Sequence, residues 1–195
     1  MEGTDLTHEP YLDNGFSSAE SMAASHRIMI DAAVSLLRGQ SGRILDLGCG
    51  NGRLVAEIAS RLPGLTPCGV ECVFDRANRG RAPLERAGGR LHVGDIFSQE
   101  QPWFDNESYA LTILMIGRLL EVSVQRRRAL IADIERHSNL LLLYTYGDSL
   151  SMSDEASRLL ESTFPGAARM DVGVEDGSLP RLWVYPFRHL RFGGA

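Results

Sequence analysis
Asp46 stands two residues ahead of three alternating glycines, Gly48, Gly50 and Gly52, with Cys49 between the first two. Ile44, Leu45 and Leu47 form a short apolar run without helical spacing, so the stretch reads as a buried strand opening into a tight turn. Glycine lets a large group approach the backbone with no Cβ in the way and permits positive φ. The segment that follows starts a helix whose free N–H groups face the same spot. A ligand is expected on that turn, and Asp46 constrains its charge: a carboxylate repels a pyrophosphate and welcomes an ammonium or a sulfonium. Dinucleotide-binding turns need G-x-G-x-x-G with the pyrophosphate on the helix N-terminus. Here the third glycine comes one residue early, and Arg53 occupies the place where that pattern needs a glycine.

Two further acids fall at the ends of the next apolar runs. Leu54, Val55, Ile58, Ala59 and Leu62 give a helical stripe that stops at Pro63-Gly64, and Pro67-Cys68-Gly69-Val70-Glu71 then reads as a second strand ending in a carboxylate. An acid about 20 residues past a glycine turn can hold a ribose diol through two hydrogen bonds, and Glu71 is assigned that role. A third strand, Arg90-Leu91-His92-Val93, leads into Gly94-Asp95-Ile96.

The ordered set of strand, Asp-x-Gly-x-Gly-x-Gly turn, helix, strand and acid resembles the first motifs of class I S-adenosylmethionine-dependent methyltransferases of small molecules. The resemblance covers roughly residues 42–187. It implies an α/β fold of three layers, with a Rossmann-like seven-stranded sheet in the order 3-2-1-4-5-7-6, mostly parallel with an antiparallel last strand. It also implies S-adenosylmethionine as cofactor, S-adenosylhomocysteine as product, and an acid against the adenine amino group, which Asp95 matches with the Ile96 backbone beside it. Cofactor contacts are therefore expected from Asp46, Gly48, Cys49, Gly50, Gly52, Glu71, Cys72, Asp95, Ile96 and Met115. Enzymes of this family that act on base amines or on glutamine often carry an Asn/Asp-Pro-Pro-Tyr turn after the fourth strand. This chain has Met115-Ile116-Gly117-Arg118-Leu119 there, which lowers the odds of a nucleobase substrate.

The elements that position these residues are legible in outline. Residues 1 to about 16 lack periodicity and are expected to form a mobile arm, with Tyr11 and Phe16 covering a surface. A capping box at Ser17 and Glu20 opens a helix whose face is Met22, His26, Met29, Ala33 and Leu36, ended by Gly39. By resemblance, residues 1–41 are an arm and helical lid on a 42–187 core, all within one domain. From Phe74 to Gly89 the chain is helical in composition but interrupted by Gly80 and Pro83. Its arginines (Arg76, Arg79, Arg81, Arg86) and the run Arg126-Arg127-Arg128 read as solvated helix faces. Residues Phe97 to Ser108 read as a loop. Then come a fourth strand at Tyr109 to Met115, a helix from about Leu119 to His137, and a fifth strand at Leu140 to Tyr146. A helix at about Asp154 to Phe164 precedes a last hairpin, with Met170, Val172 and Val174 alternating before a Glu175-Asp176-Gly177 turn and a strand at Leu182 to Tyr185.

Composition limits the function classes. A length of 195 residues suits one core, and 44% hydrophobic with 23% charged residues is ordinary for a soluble globule. A net charge of −5 disfavours nucleic acid as a partner. Every one of the 20 basic residues is arginine, which excludes lysine chemistry. Cys49, Cys68 and Cys72 form no metal-binding or disulfide pattern, so buried thiols in a reducing cytoplasm are expected, with no metal. No apolar run reaches membrane-spanning length. Transfer from a sulfonium needs alignment and exclusion of water, and a general base only where the acceptor must lose a proton. The candidates are Tyr11, His26 and Tyr144, with Tyr146 on the same strand face as Tyr144. The expected activity is methyl transfer to a small organic molecule or short peptide, by a monomer or homodimer, in a bacterial biosynthetic pathway. Three alternatives stay open: a non-catalytic cofactor-binding protein, an NAD(P)-dependent oxidoreductase, and an RNA methyltransferase.

Overall fold
The computed structural model describes residues 9–105, 107–145, 154–170 and 180–187. The elements run α1 (Pro10–Asp13), α2 (Ala19–Leu37), β1 (Gly42–Leu47), α3 (Arg53–Arg61), β2 (Leu65–Glu71), α4 (Phe74–Arg86) and β3 (Arg90–Val93). They continue with β4 (Tyr109–Met115), α5 (Ile116–Leu120), α6 (Val124–His137), β5 (Ser138–Thr145), α7 (Asp154–Thr163), β6 (Ala168–Arg169) and β7 (Arg181–Pro186). The seven strands form one sheet in the order β3-β2-β1-β4-β5-β7-β6. β7 runs antiparallel to β5 and to β6, and the other pairings are parallel. This is the sheet expected from the sequence.

Strand alternation divides the core into two layers. Ile44, Leu111, Ile113 and Leu142 pack under α2, α3 and α4, while Leu45, Leu47, Leu114 and Leu143 pack against α5, α6 and α7. Asp46 shares the parity of Ile44 and so projects toward the α2–α3 side, in register with Ile113 of β4. The strand order reverses between β1 and β4, and ligands in open α/β sheets lie in the crevice outside the strand ends at such a point. Fold and sequence motif therefore mark the same place.

Several boundaries differ from the sequence expectation. Ser18, not Ser17, caps α2, its side chain accepting the Ser21 N–H at 3.1 Å. α4 is continuous through Gly80 and Pro83. Gly80 is required by packing: a Cβ there would lie 2.7 Å from the backbone carbonyl of Asn51, so the helix rests directly on the glycine turn. Pro83 lies near the C-terminal end of α4, where the one N–H bond it lacks costs little continuity. The single helix expected from Leu119 to His137 is two, because the Ser123 side chain accepts the Arg126 N–H and restarts the chain as α6. Residues 10–15 belong to a docked segment rather than a free arm. Tyr146, the Gly147-Asp148 end of the fifth strand, Val172, Val174 and the hairpin turn lie outside the described residues.

Candidate functional site
The three turn glycines all have positive φ: 89° at Gly48, 57° at Gly50 and 69° at Gly52. The Gly48 and Cys49 N–H groups donate to the Val70 carbonyl at 2.8 and 3.0 Å, which fixes the turn to the end of β2. Glu71 completes that attachment. Its Oε2 accepts the Gly50 N–H at 2.9 Å and its Oε1 accepts the Val73 N–H at 2.8 Å, with the Cys72 thiol donating to Oε1 at 3.6 Å. Oε2 keeps a second lone pair for a hydroxyl, and Oε1 can accept another where it displaces the weak thiol donor of Cys72.

A pocket of about 210 Å³ opens over this turn at the carboxyl ends of β1, β2, β4 and β5. It brings together Asp46, Gly48, Cys49, Gly50, Glu71 and Met115 with His26 and Tyr144. Asp46 is only 3% exposed, and its Oδ1 is buried with no hydrogen-bond partner among the described residues. Burial, and then the charge of Glu71, push its carboxyl up to about 7. Two buried carboxylates side by side, one of them with an oxygen unpartnered among the described residues, make a site that favours a cation. The residues present thus fit a ligand that carries both positive charge and a diol.

His26 is 4% exposed and forms an edge-to-face contact with Phe16 at 5.6 Å. Burial pushes its pKa down to about 4, so the imidazole is neutral at pH 7 and can accept a proton or a hydrogen bond. It lines both this pocket and a second cavity of about 410 Å³ between α2 and α3.

Other expected residues stand outside the pocket lining. Gly52 caps α3 and lies under Leu84, whose Cδ1 would be 2.3 Å from a Cβ there. Cys72 is exposed, in contrast to the expectation of buried thiols, which holds for Cys49 and Cys68. Asp95 is exposed and engaged elsewhere: Oδ1 accepts the Phe97 N–H at 2.9 Å and Oδ2 pairs with the Arg126 guanidinium at 2.8 Å. Ile96 is buried in the layer under α5 and α6. Tyr11 sits on α1, away from the pocket wall. Neither arginine run is wholly solvated, since Arg79 pairs with Asp13, Arg76 lines the pocket and Arg126 holds Asp95.

Sequence reasoning missed six lining residues. Asp13, Asn14 and Gly15 come from the segment without periodicity, and Arg76 from a basic run read as solvent-facing. Leu54 was read only as part of the α3 stripe. Arg118 lies three residues past Met115, in the stretch that stands where the family's Pro-Pro-Tyr turn would be. That coincidence was the one available signal.

Residues 44–139 match a family described as "Methyltransferase domain". Those residues are a class I S-adenosylmethionine-dependent methyltransferase domain. The ribosomal RNA small subunit methyltransferase C of Klebsiella pneumoniae subsp. pneumoniae is 31% identical over 100 residues, which make up 50% of this chain and 28% of that protein. The chain therefore spans well under a third of that relative. Among solved structures, a TehB-like S-adenosylmethionine-dependent methyltransferase from Corynebacterium glutamicum aligns at TM-score 0.58 and 14% identity. The alignment covers 87% of this chain and 99% of that one. A glycopeptide N-methyltransferase, MtfA, aligns at TM-score 0.60 and 14% identity over 83% of this chain and 90% of its own. Both are similar to this methyltransferase in fold, and the cofactor of the family is S-adenosylmethionine.

Among the described residues no helix is long and apolar enough to cross a membrane, and no cluster of His, Cys, Asp or Glu could hold a metal ion.

Proposed function
We propose that this chain moves a methyl group from S-adenosylmethionine to a small organic molecule or short peptide. One observation carries the reading: Asp46, buried and with its Oδ1 unpartnered among the described residues, shares a pocket with Glu71 directly over the glycine turn. When bound, the cofactor supplies a methyl group on a sulfonium, already activated for displacement. Asp46 holds the positive charge, Glu71 accepts the ribose hydroxyls, and the backbone of Gly48 to Gly50 permits close approach. Asp95 and the Ile96 backbone extend the site toward the adenine, with Asp95 releasing Arg126 or sharing it, and Gly52 and Cys72 complete the cofactor contacts. Met115 and Tyr144 form the wall on the β4–β5 side and help exclude water.

His26 is the residue assigned to the acceptor. It stands between the cofactor pocket and the α2–α3 cavity, whose α2 wall includes Met22, Ala23 and Ile30. Those apolar side chains, with Arg27, Arg53, Glu57 and Arg61 around them, suit a modest organic body that carries polar or charged groups. A neutral imidazole there accepts a hydrogen bond from an acceptor hydroxyl or amine and orients it.

Calorimetric titration with S-adenosylmethionine and S-adenosylhomocysteine tests the cofactor half. Binding by the wild type that weakens at least tenfold in Asp46→Asn is expected, and a folded wild type that binds neither compound would overturn it. Transfer of labelled methyl into small-molecule fractions of an extract tests the acceptor half. The ribosomal relative favours a second reading, an RNA acceptor, against which the net charge of −5 stands. Label appearing on RNA, with activity falling steeply with salt, would establish that reading instead.

A further inference from the structure
Two buried carboxylates prepare the cofactor pocket for a cation, whereas the cavity between α2 and α3 is lined for an anion. Arg53, Glu57 and Arg61 follow one another at steps of four on α3, so one face of that helix carries all three, and Arg27 joins them from α2. Each α3 arginine already has a carboxylate. Arg53 Nε meets Glu57 Oε1 at 2.9 Å, and Arg61 Nη1 meets Asp31 Oδ1 at 3.1 Å. Arg27 makes no hydrogen bond or ion pair among the described residues, so its charge is the one left uncompensated.

The cavity also has an inside and an outside. Met22 and Ile30 line it at 3% and 1% exposure, while Arg27 is exposed at its rim. His26 precedes Arg27 by one residue, about 100° round the helix, and is buried where the cavity meets the cofactor pocket. A ligand that satisfies all of these groups has one negative charge at its outer end, an apolar body and a hydrogen-bonding group at its inner end. The volume of about 410 Å³ lies within the roughly 300–1,000 Å³ of sites that enclose a small ligand. One free guanidinium matches a monoanion, and its planar fork matches a carboxylate.

We propose that the methyl acceptor is a small monocarboxylic acid, with its carboxylate on Arg27, its apolar body over Met22 and Ile30, and a hydroxyl or amine at His26. This deepens the acceptor half of the function proposed above and rests on it. The carboxylate is a handle and not the methylated group: pairing with a guanidinium draws off the electron density a nucleophile needs, and a methyl ester would leave Arg27 uncompensated again. In the transfer, the acceptor oxygen or nitrogen bonds to the methyl carbon as the carbon–sulfur bond breaks. The electron pair of that bond stays on sulfur, and the acceptor's proton passes to the neutral imidazole of His26.

Two measurements on the full chain test this. The first is binding of benzoate and of the neutral benzamide, followed by ligand-observed NMR without cofactor. Benzoate should bind more tightly than benzamide. Arg27→Met should weaken benzoate about tenfold, the loss of one charge-assisted contact, and Arg27→Lys, which keeps the charge without the fork, should fall between. No binding of benzoate, equal binding of the two probes, or benzoate binding that Arg27→Met leaves unchanged would overturn the proposal. Titration of the same proteins with S-adenosylhomocysteine reports separately on the cofactor reading and on the folding of each variant. The second measurement is transfer of labelled methyl into the small-molecule fraction of an extract. The product should be retained on an anion exchanger at pH 7 and keep its label through mild alkali. Arg27→Met should need about ten times more of that fraction for half-maximal rate and reach a similar maximum. A labelled product that passes through the resin, or that releases its label to alkali as methanol, would overturn the proposal. Label in no small molecule would instead remove the acceptor reading on which it depends.

Discussion

Glu71 and Gly50 are joined by a 2.9 Å hydrogen bond from the Gly50 N–H to Oε2, so the residue expected to bind the ribose also holds the turn in shape. Its other oxygen caps the start of α4 through Val73. Glu71→Ala should therefore lower stability as well as affinity. Leaving the Gly50 N–H unsatisfied costs about 1–3 kcal/mol, which urea denaturation of the cofactor-free protein would register. Unchanged stability with lost binding would show that the turn keeps its shape without the carboxylate.

Asp46→Asn isolates charge from shape. The Oδ1 of Asp46 has no hydrogen-bond partner among the described residues, so the amide disturbs little. Cofactor affinity should fall about tenfold to a hundredfold. The cofactor-free protein should become more stable at pH 8, where the wild type carries the cost of a buried charge. Calorimetric titration and thermal denaturation check the two outcomes.

The same residue makes cofactor binding depend on pH. A cation in the pocket forces Asp46 to ionise, so below about pH 7 binding releases close to one proton. Affinity should rise roughly tenfold per unit from pH 5 to 7 and then level off. Titrations in buffers of different ionisation enthalpy would measure the released proton, and Asp46→Asn should release none from this position.

Stability without cofactor carries two opposed slopes. Asp46 keeps its proton to about pH 7 in the folded chain and loses it near 3.8 when unfolded, so its contribution falls as pH rises between those values. His26 is held down to about 4 against 6.5 unfolded, so its contribution is complete above 6.5 and is lost as pH falls toward 4. Each amounts to a few kcal/mol at most, and they largely cancel between about pH 4 and 6.5. Asp46→Asn should unmask stability that rises with pH, and His26→Gln stability that falls with it. Thermal denaturation across that window distinguishes them.

Gly80→Ala tests how the turn is supported. In a free helix the change would gain up to about 1 kcal/mol. Here the new methyl would meet the Asn51 carbonyl at 2.7 Å, backbone that cannot swing aside. Overpacking of this kind costs about 1–3 kcal/mol, so a net loss of stability is expected, with weaker cofactor binding because the turn tip shifts. Chemical denaturation and calorimetry would show both.

Asp46 and Glu71 were legible in the sequence because each ends an apolar strand, and parallel strands bring their ends to one edge of a sheet. Asn14 was not. It lies in a stretch without periodicity, and its partner Asn51 is 37 residues on. Arg79 was misread for a related reason. A run of arginines looks solvated when charge is balanced along the chain, yet Asp13 reaches it from 66 residues away. Asp95 shows the limit in another form: register places it at the end of β3, but which cation claims its side chain depends on where α6 comes to rest. Strand order followed from the family pattern, whereas the break between α5 and α6 hung on the Ser123 cap alone.

The close approach of β2 to the glycine turn limits how this chain can change. A Cβ at Gly69 would lie 2.5 Å from the Cys49 sulfur, so the smallest residue of the strand and the only side chain between Gly48 and Gly50 share one volume. A larger residue at 69 is admissible only with a smaller one at 49. Substitution at these two positions should therefore be paired, and a lineage that exchanged Cys49 for glycine first would be free to fill position 69 afterwards, while the reverse order passes through an overfilled core.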